Sequence, residues 1–350
     1  LGAIIYTYRN KRMLFGAVLT AFFLAIEIAQ NHLQITYYLF FVILFVGVAE
    51  LIRMYRADEM KRFLKASTFL IAAALISIGA NLSNLWGTYE YGKETIRGTN
   101  ELTLNQKATQ EEGLDLAYIT NWCLGKEETA NFLIPNAKGG VSGSVIQSLE
   151  DFDAIEDPAI KSTFTSIYQQ GGYVNSYWGD QPMVSGPHYM GAIVLFLAIL
   201  CLVLIGDTLS WALFGVTILA VLLSWGHNFL GLTEFFVDYI PMYNKFRAVT
   251  IILVVAAMVF PMLMVFFLQK LINHTDEIKV NMKKLYITSG VFGGVLLVFM
   301  AMPDALFSFL TDGEIATYGE NSPIKDYRIG VFKSDALRSF TFVGLAFFAI

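Results

Sequence analysis

Charge is what this sequence has least of. Only 15% of its 350 residues are Asp, Glu, Lys or Arg, against roughly 25% in an average soluble domain. Hydrophobic residues make up 55% of the chain and fall in long runs. A single water-soluble globule is therefore excluded. So is a disordered chain, which needs low hydrophobicity and high charge. Lys and Arg number 24 against 29 Asp and Glu, a net charge of -5. No basic stripe with interleaved aromatics exists, so nucleic acid is not an expected partner. Cysteine is equally scarce. Cys201 lies in an apolar run and Cys123 in a polar stretch far before it, which predicts no disulfide and offers no zinc spacing. No cofactor is expected, and a divalent metal has no acidic cluster to hold it. The first residue is Leu1, no signal peptide opens the chain, and the last run stops while still apolar. The chain is therefore expected to be an internal piece of a longer membrane protein.

What is present is a set of spans. A bilayer core of roughly 30 Å needs about 20 apolar residues as a helix. Candidates are residues 14–29, 35–52, 66–86, 189–205, 209–225, 249–272, 285–302 and 337–350. In lipid the backbone must bond within its own segment, and these runs do not alternate as barrel strands do. The fold class expected is thus all-α integral membrane, with about eight transmembrane helices. Pro261 should kink the sixth.

Basic residues then set the orientation. Arg9, Lys11 and Arg12 precede the first span; Arg53, Arg56, Lys61, Arg62 and Lys65 crowd the second link; Lys270, Lys279, Lys283 and Lys284 follow the sixth. Short basic loops stay cytoplasmic. With alternating spans, all three tracts fall on that side. Loops 87–188, 226–246 and 303–336 then lie outside a bacterial cytoplasmic membrane. The expected organisation is helices one to three in 1–86, a mixed extracytoplasmic domain in 87–188, helices four to seven in 189–302, an outer loop in 303–336 and a truncated last helix in 337–350. Within the domain, Asp157 before Pro158 reads as a helix entry, and KGGVSGSVIQ reads as a glycine-rich loop. Residues 229–239 look interfacial or re-entrant.

Rare polar residues cluster at the outer span ends. Glu27 lies near the end of the first span, where a carboxylate is costly. Asn31 and Gln34 follow at helical spacing, on the same face, with His32 adjacent. This string is either a polar pocket for a hydroxyl or phosphate, or an interhelical hydrogen-bond cluster at a helix break. Asn81 and Asn84, before Trp86 and Glu90, either cap a helix end or line the same cavity. Lys245 and Arg247 stand before the sixth span, on the side where cations are disfavoured. A lipid phosphate would explain them, since arginine grips it bidentately and lysine acts as a point charge; snorkelling to ordinary headgroups is the alternative. His227 is either a base or a loop residue. Lys325, Arg328, Lys333 and Arg338, among acidic neighbours, read as a solvated surface.

Three strings carry a resemblance. They are N-H-x-Q-I-T-Y-Y at 31–38 after the helix with Glu27, I-P-x-Y-x-K-F-R at 240–247, and Y-E-Y-x-K-E-T-I-R-G at 89–98 before a large insertion. Together they resemble the bacterial YfhO family of multi-pass membrane proteins. The resemblance implies a GT-C-like fold and a glycosyltransferase that moves a sugar from a polyprenyl-phosphate carrier to a surface glycan or polymer. In that family type a key carboxylate usually lies in the first outer loop, before this chain begins. On this reading Glu27 and His32 are the catalytic candidates. Asn31, Gln34, Tyr37, Asn84, Glu90, His227, Lys245 and Arg247 are substrate-binding, and the partners are a lipid-linked sugar donor, a glycan acceptor and membrane lipids. A transporter or flippase of lipid-linked glycans, or a non-catalytic scaffold, are the alternatives. A transporter should show two similar halves with broken helices in corresponding places, and no internal repeat is visible.

Overall fold

The structure is a computed structural model that describes residues 1–95 and 114–350. The last part of the 89–98 string lies outside the described residues. The chain has the several long apolar helices of a multi-pass membrane protein, together with a small β region. Among the described residues four helices are long and apolar enough to cross a bilayer: Leu33–Arg56, Met60–Ala80, Val249–Asn273 and Met282–Ala301. A fifth is obtained if Thr208–Ser224 and Gly226–Tyr239, bent by 111°, count as one broken span.

The eight expected spans are thus not matched one for one. The Met13–Ala29 and Ala192–Leu204 helices are apolar but short. At 1.5 Å per residue, the 13 residues of the latter cover about 20 Å, less than a hydrocarbon core. The third run is cut at Asn81, with a separate helix over Leu82–Lys93. The last helix is Pro323–Ala349, so the loop expected to 336 is largely helical. Ser322 caps that helix and Pro323 opens it, the start signal that the apolar count overlooked. Pro261 lies inside a continuous Val254–Asn273 helix.

Large apolar side chains remain exposed along the spans, among them Leu14, Phe22, Leu75, Val291 and Leu345. A soluble protein would hide such a band, whereas hydrocarbon solvates it.

The chain divides into two compact units, Leu1–Asn121 with Gly206–Val259, and Trp122–Ile205 with Phe260–Ile350. In the first, Met13–Ala29 packs on Met60–Ala80, and Ser77 Oγ donates to the Ala21 carbonyl across the pair at 2.8 Å. Leu33–Arg56 packs on Thr208–Ser224 with Tyr38, Val42 and Val46 buried on one side and Leu213, Val216 and Ala220 on the other. The short helix Gly2–Arg9 docks against Met13–Ala29 at Gly16, where a Cβ would collide with Thr7 Oγ1. Glu50 is wholly buried and accepts from Arg9 Nε and Arg53 Nε, both at 2.7 Å.

In the second unit, Gly139–Ser144 pairs antiparallel with Asn175–Tyr177. The KGGVSGSVIQ segment is therefore mostly strand, not loop. The expected helix entry is present: Asp157 accepts from the amides of Ala159 and Ile160 at the start of Pro158–Gln169, as an N-cap should. Phe164, Ile167, Val174, Leu310 and Ile324 form the core. Arg328, expected on a solvated surface, has no exposed area and forms a bidentate pair with Glu314. Glu128, also buried, accepts from Tyr177 Oη at 2.7 Å and from the Gly125 amide at 2.6 Å. A Cβ at Gly179 would strike both Glu128 and Tyr177, so the close approach needs glycine.

Candidate functional site

All ten candidate residues fall in the first unit, and two clusters emerge among them. The break between helices Met13–Ala29 and Leu33–Arg56 creates the first. Asn31 adopts a left-handed backbone, φ 57°, which asparagine tolerates because its short amide can bond locally. The expected common face of Glu27, Asn31 and Gln34 does not survive this break. The three side chains go to different partners. Glu27 Oε1 accepts from Thr36 Oγ1 at 3.0 Å, and its buried Oε2 has no partner among the described residues. Gln34 Nε2 donates to the Arg247 carbonyl at 2.8 Å and to Tyr38 Oη at 2.9 Å. Asn31 Oδ1 faces Thr88 Oγ1 at 3.5 Å, the outer limit of a hydrogen bond.

Asn31 opens onto a groove of about 720 Å³, whose polar lining comprises Asn31, Asn81, Ser83, Asn84, Thr88 and Tyr91. Asn81 and Asn84 thus share this groove with Asn31, whereas Glu27, His32 and Gln34 are not part of its lining. Asn81 also fastens helices together, because its Nδ2 donates to the carbonyls of Ala25 and Ser77, each at 3.0 Å. Glu90 does not line the groove. It pairs with Lys93 one turn on, at 3.0 Å, both half-exposed. His32 is exposed, and its side chain does not cap the helix that follows it.

The second cluster is the tract leading into the Val249–Asn273 span. Two non-glycine residues with left-handed backbone bracket it, Met242 (φ 67°) and Ala248 (φ 56°). Such conformations cost roughly 1–3 kcal/mol each and persist where surrounding contacts fix them. Those contacts are visible. The Ala248 amide donates to the Ile119 carbonyl at 3.1 Å, and the Leu114 amide donates to the Asn244 carbonyl at 2.9 Å. Tyr37 Oη donates to the Pro241 carbonyl at 2.9 Å. Tyr243 is buried; burial first, then the neighbouring phenols of Tyr38 and Tyr37, push its pKa well above the usual value. Lys245 ends the short turn Tyr243–Lys245. The exposed Arg247 donates from Nη1 to Tyr118 Oη at 2.6 Å, with its guanidinium 5.6 Å from that ring. His227 stands at the bend between Thr208–Ser224 and Leu230–Tyr239, with Nδ1 3.3 Å from the Thr120 carbonyl.

The clusters adjoin through the chain itself. Asn31 lines the groove and Gln34 grips the Arg247 backbone; three residues separate their Cα atoms by at most about 11 Å. Sequence reasoning missed Tyr118, Ser83, Thr88 and Tyr91. Tyr118 had no periodicity to reveal it and Ser83 only adjoins Asn84, while Thr88 and Tyr91 follow Asn84 by about one and two helical turns, offsets that a helix continuing past Trp86 would have exposed. Among the described residues no group of three or more His, Cys, Asp or Glu is placed to hold a metal ion. A comparison with known family models finds none that matches this chain, and no curated protein or solved structure matches it either.

Proposed function

We propose that the chain is a membrane-embedded glycosyltransferase acting on a polyprenyl-phosphate sugar, with Arg247 as the anchor for the carrier phosphate. The observation that carries this reading is the tethering of Arg247. Its backbone is held by Gln34 and its guanidinium by Tyr118, yet the residue stays exposed beside the first turn of an apolar span. A guanidinium so pre-positioned can take a phosphate oxygen without first being ordered. Lys245, two residues before it, adds charge of the same sign. Together they would offset the charge that builds on the departing phosphate as the sugar–oxygen bond breaks. The acceptor hydroxyl forms the new bond to the sugar carbon, and its proton passes to a base. Glu27 and His32 are the proposed candidates for that proton, and Glu27 is already oriented by Thr36. The proposed site faces the extracytoplasmic side of a bacterial cytoplasmic membrane, where a surface glycan or polymer would be the acceptor.

A second reading has its own support. The 111° bend between Thr208–Ser224 and Gly226–Tyr239 is the kind of broken span that transporters place at binding sites. The same phosphate anchor would then serve movement of a lipid-linked glycan without bond chemistry.

The test uses the full chain in lipid nanodiscs with a short-chain polyprenyl phosphate as probe. Arg247→Ala should weaken binding about tenfold or more, the loss of a charge-assisted contact, and Arg247→Lys should restore part of it. Unaltered binding in Arg247→Ala would remove the anchor. Supplying the glycosylated probe then separates the readings. Release of free carrier phosphate indicates transfer, while translocation of intact probe across proteoliposomes indicates transport.

A further inference from the structure

We infer that the groove beside Asn31 is a binding site for an uncharged sugar ring. The inference deepens the reading above by naming the chemistry of the sugar end, and it is tested separately from the phosphate anchor.

The lining decides the ligand class. Three carboxamides, two hydroxyls and one phenol face the groove, and among the described residues no Asp, Glu, Lys, Arg or His lines it. Carboxamides both donate and accept, as sugar hydroxyls do. An anionic sugar would ask for a cation, and the nearby Lys93 is already paired with Glu90. A lipid tail would ask for apolar walls, whereas among the described residues only Ala80 and Gly87 of the lining lack a polar side chain. A peptide strand would need a sheet edge, whereas this wall is the helix Leu82–Lys93 and its neighbours.

The hydrogen-bonding capacity is also open. Asn81 spends Nδ2 on the Ala25 and Ser77 carbonyls, which fixes the amide and leaves Oδ1 as an acceptor. Asn84 makes no side-chain hydrogen bond among the described residues, and the Asn31–Thr88 contact is long enough at 3.5 Å to be exchanged for a ligand. Ala80 and Gly87 supply the small positions in the wall, so a ring can approach the backbone closely. The volume falls within the range of small-molecule sites, about 300–1,000 Å³. The short reach from Asn31 to Gln34 lets one ligand place its ring in the groove and its phosphate toward Arg247.

The experiment is saturation-transfer NMR on the full chain in nanodiscs, with methyl glucoside, methyl N-acetylglucosaminide and glucuronate as probes. At least one neutral glycoside should bind, with glucuronate about tenfold weaker for want of a counter-charge. Asn84→Leu and Thr88→Val, both at positions away from the buried core, should each weaken the neutral probe about tenfold. Lys65→Ala should leave that binding unchanged within about twofold, since this exposed residue lies outside the groove. Absence of binding by both neutral probes, equal binding of glucuronate, or full binding in both groove variants would overturn the inference. None of those outcomes touches the phosphate anchor, whose probe carries no sugar.

Discussion

Removing the charge of Glu314 while keeping its shape isolates one buried interaction. Arg328 is fully buried. Its Nη1 donates to Glu314 Oε2 at 2.7 Å and to the Phe309 carbonyl at 2.8 Å. Its Nη2 donates to Glu314 Oε1 at 2.7 Å and to the Asn175 carbonyl at 2.9 Å. The guanidinium also lies 4.6 Å from the Trp178 ring. In Glu314→Gln the cation keeps two carbonyls and the aromatic face but loses its counter-charge. An uncompensated buried charge costs roughly 3–5 kcal/mol; because Glu314 keeps 17% side-chain exposure, the lower end, about 3 kcal/mol, is expected. Arg328→Met strands the carboxylate and both carbonyls and should cost a similar amount. The double variant buries no charge, so its cost should fall short of the two singles added together by about 2 kcal/mol. Thermal unfolding of the full chain in detergent, followed by the fluorescence of its five tryptophans, Trp178 among them, reads this out. A loss of about 3 kcal/mol lowers the midpoint by roughly 6–12 °C for a unit of this size. A shift under about 2 °C in Glu314→Gln, or strict additivity in the double variant, would refute the account of the pair as a coupled buried charge.

Two further outcomes are expected. Glu50→Gln leaves Arg9 and Arg53 without their shared carboxylate. Because both arginines are about one-third exposed, the cost should be about 1–3 kcal/mol, seen as faster proteolysis of the first ten residues; an unchanged digestion pattern would mean that apolar packing alone docks the Gly2–Arg9 helix. The second outcome concerns pH. Burial alone would raise Glu314 and Glu127, but their bonds outweigh it, to Arg328 and Thr311 for the former and to Lys138 and Ser308 for the latter, so both pKa values lie below the ordinary 4.5. Their stabilisation is complete above that value and is lost as pH falls through the depressed folded values. Glu128 is raised, first by burial, so its contribution runs oppositely: it is present below 4.5 and lost as pH rises through the folded value. Unfolding midpoints of the wild type should therefore fall in acid below about pH 4.5, and Glu314→Gln should flatten that fall; an identical acid limb in the variant would remove Glu314 from the explanation.

Part of the architecture was readable from residue order. Apolar length and the backbone's need to bond within its own segment make the runs at 35–52, 249–272 and 285–302 helical whatever they pack against. The start at Asp157 and Pro158 was equally local, because a cap and a fixed φ act on the next turn alone. Asn31, Asn81 and Asn84 were legible as polar side chains at span ends, but residue order left both helix capping and a shared cavity open for the latter two. Counting apolar residues failed where local signals compete with it. Asn81 interrupts a run by binding two carbonyls, and the last helix starts at its Ser322 cap well before its apolar half.

Residue order alone determined that this chain is a set of greasy helices with its few polar groups at their ends, since hydrophobic length and hydrogen-bond closure are properties of a segment. Only the tertiary structure decided who meets whom. The left-handed turn at Asn31 sent Glu27 to Thr36 and Gln34 to Arg247, and Arg328 went from an expected surface charge to a buried partner of Glu314. The reason is that a charge's cost is set by its neighbours across the fold. Tyr118 lies 129 residues from Arg247, and no spacing rule spans that distance.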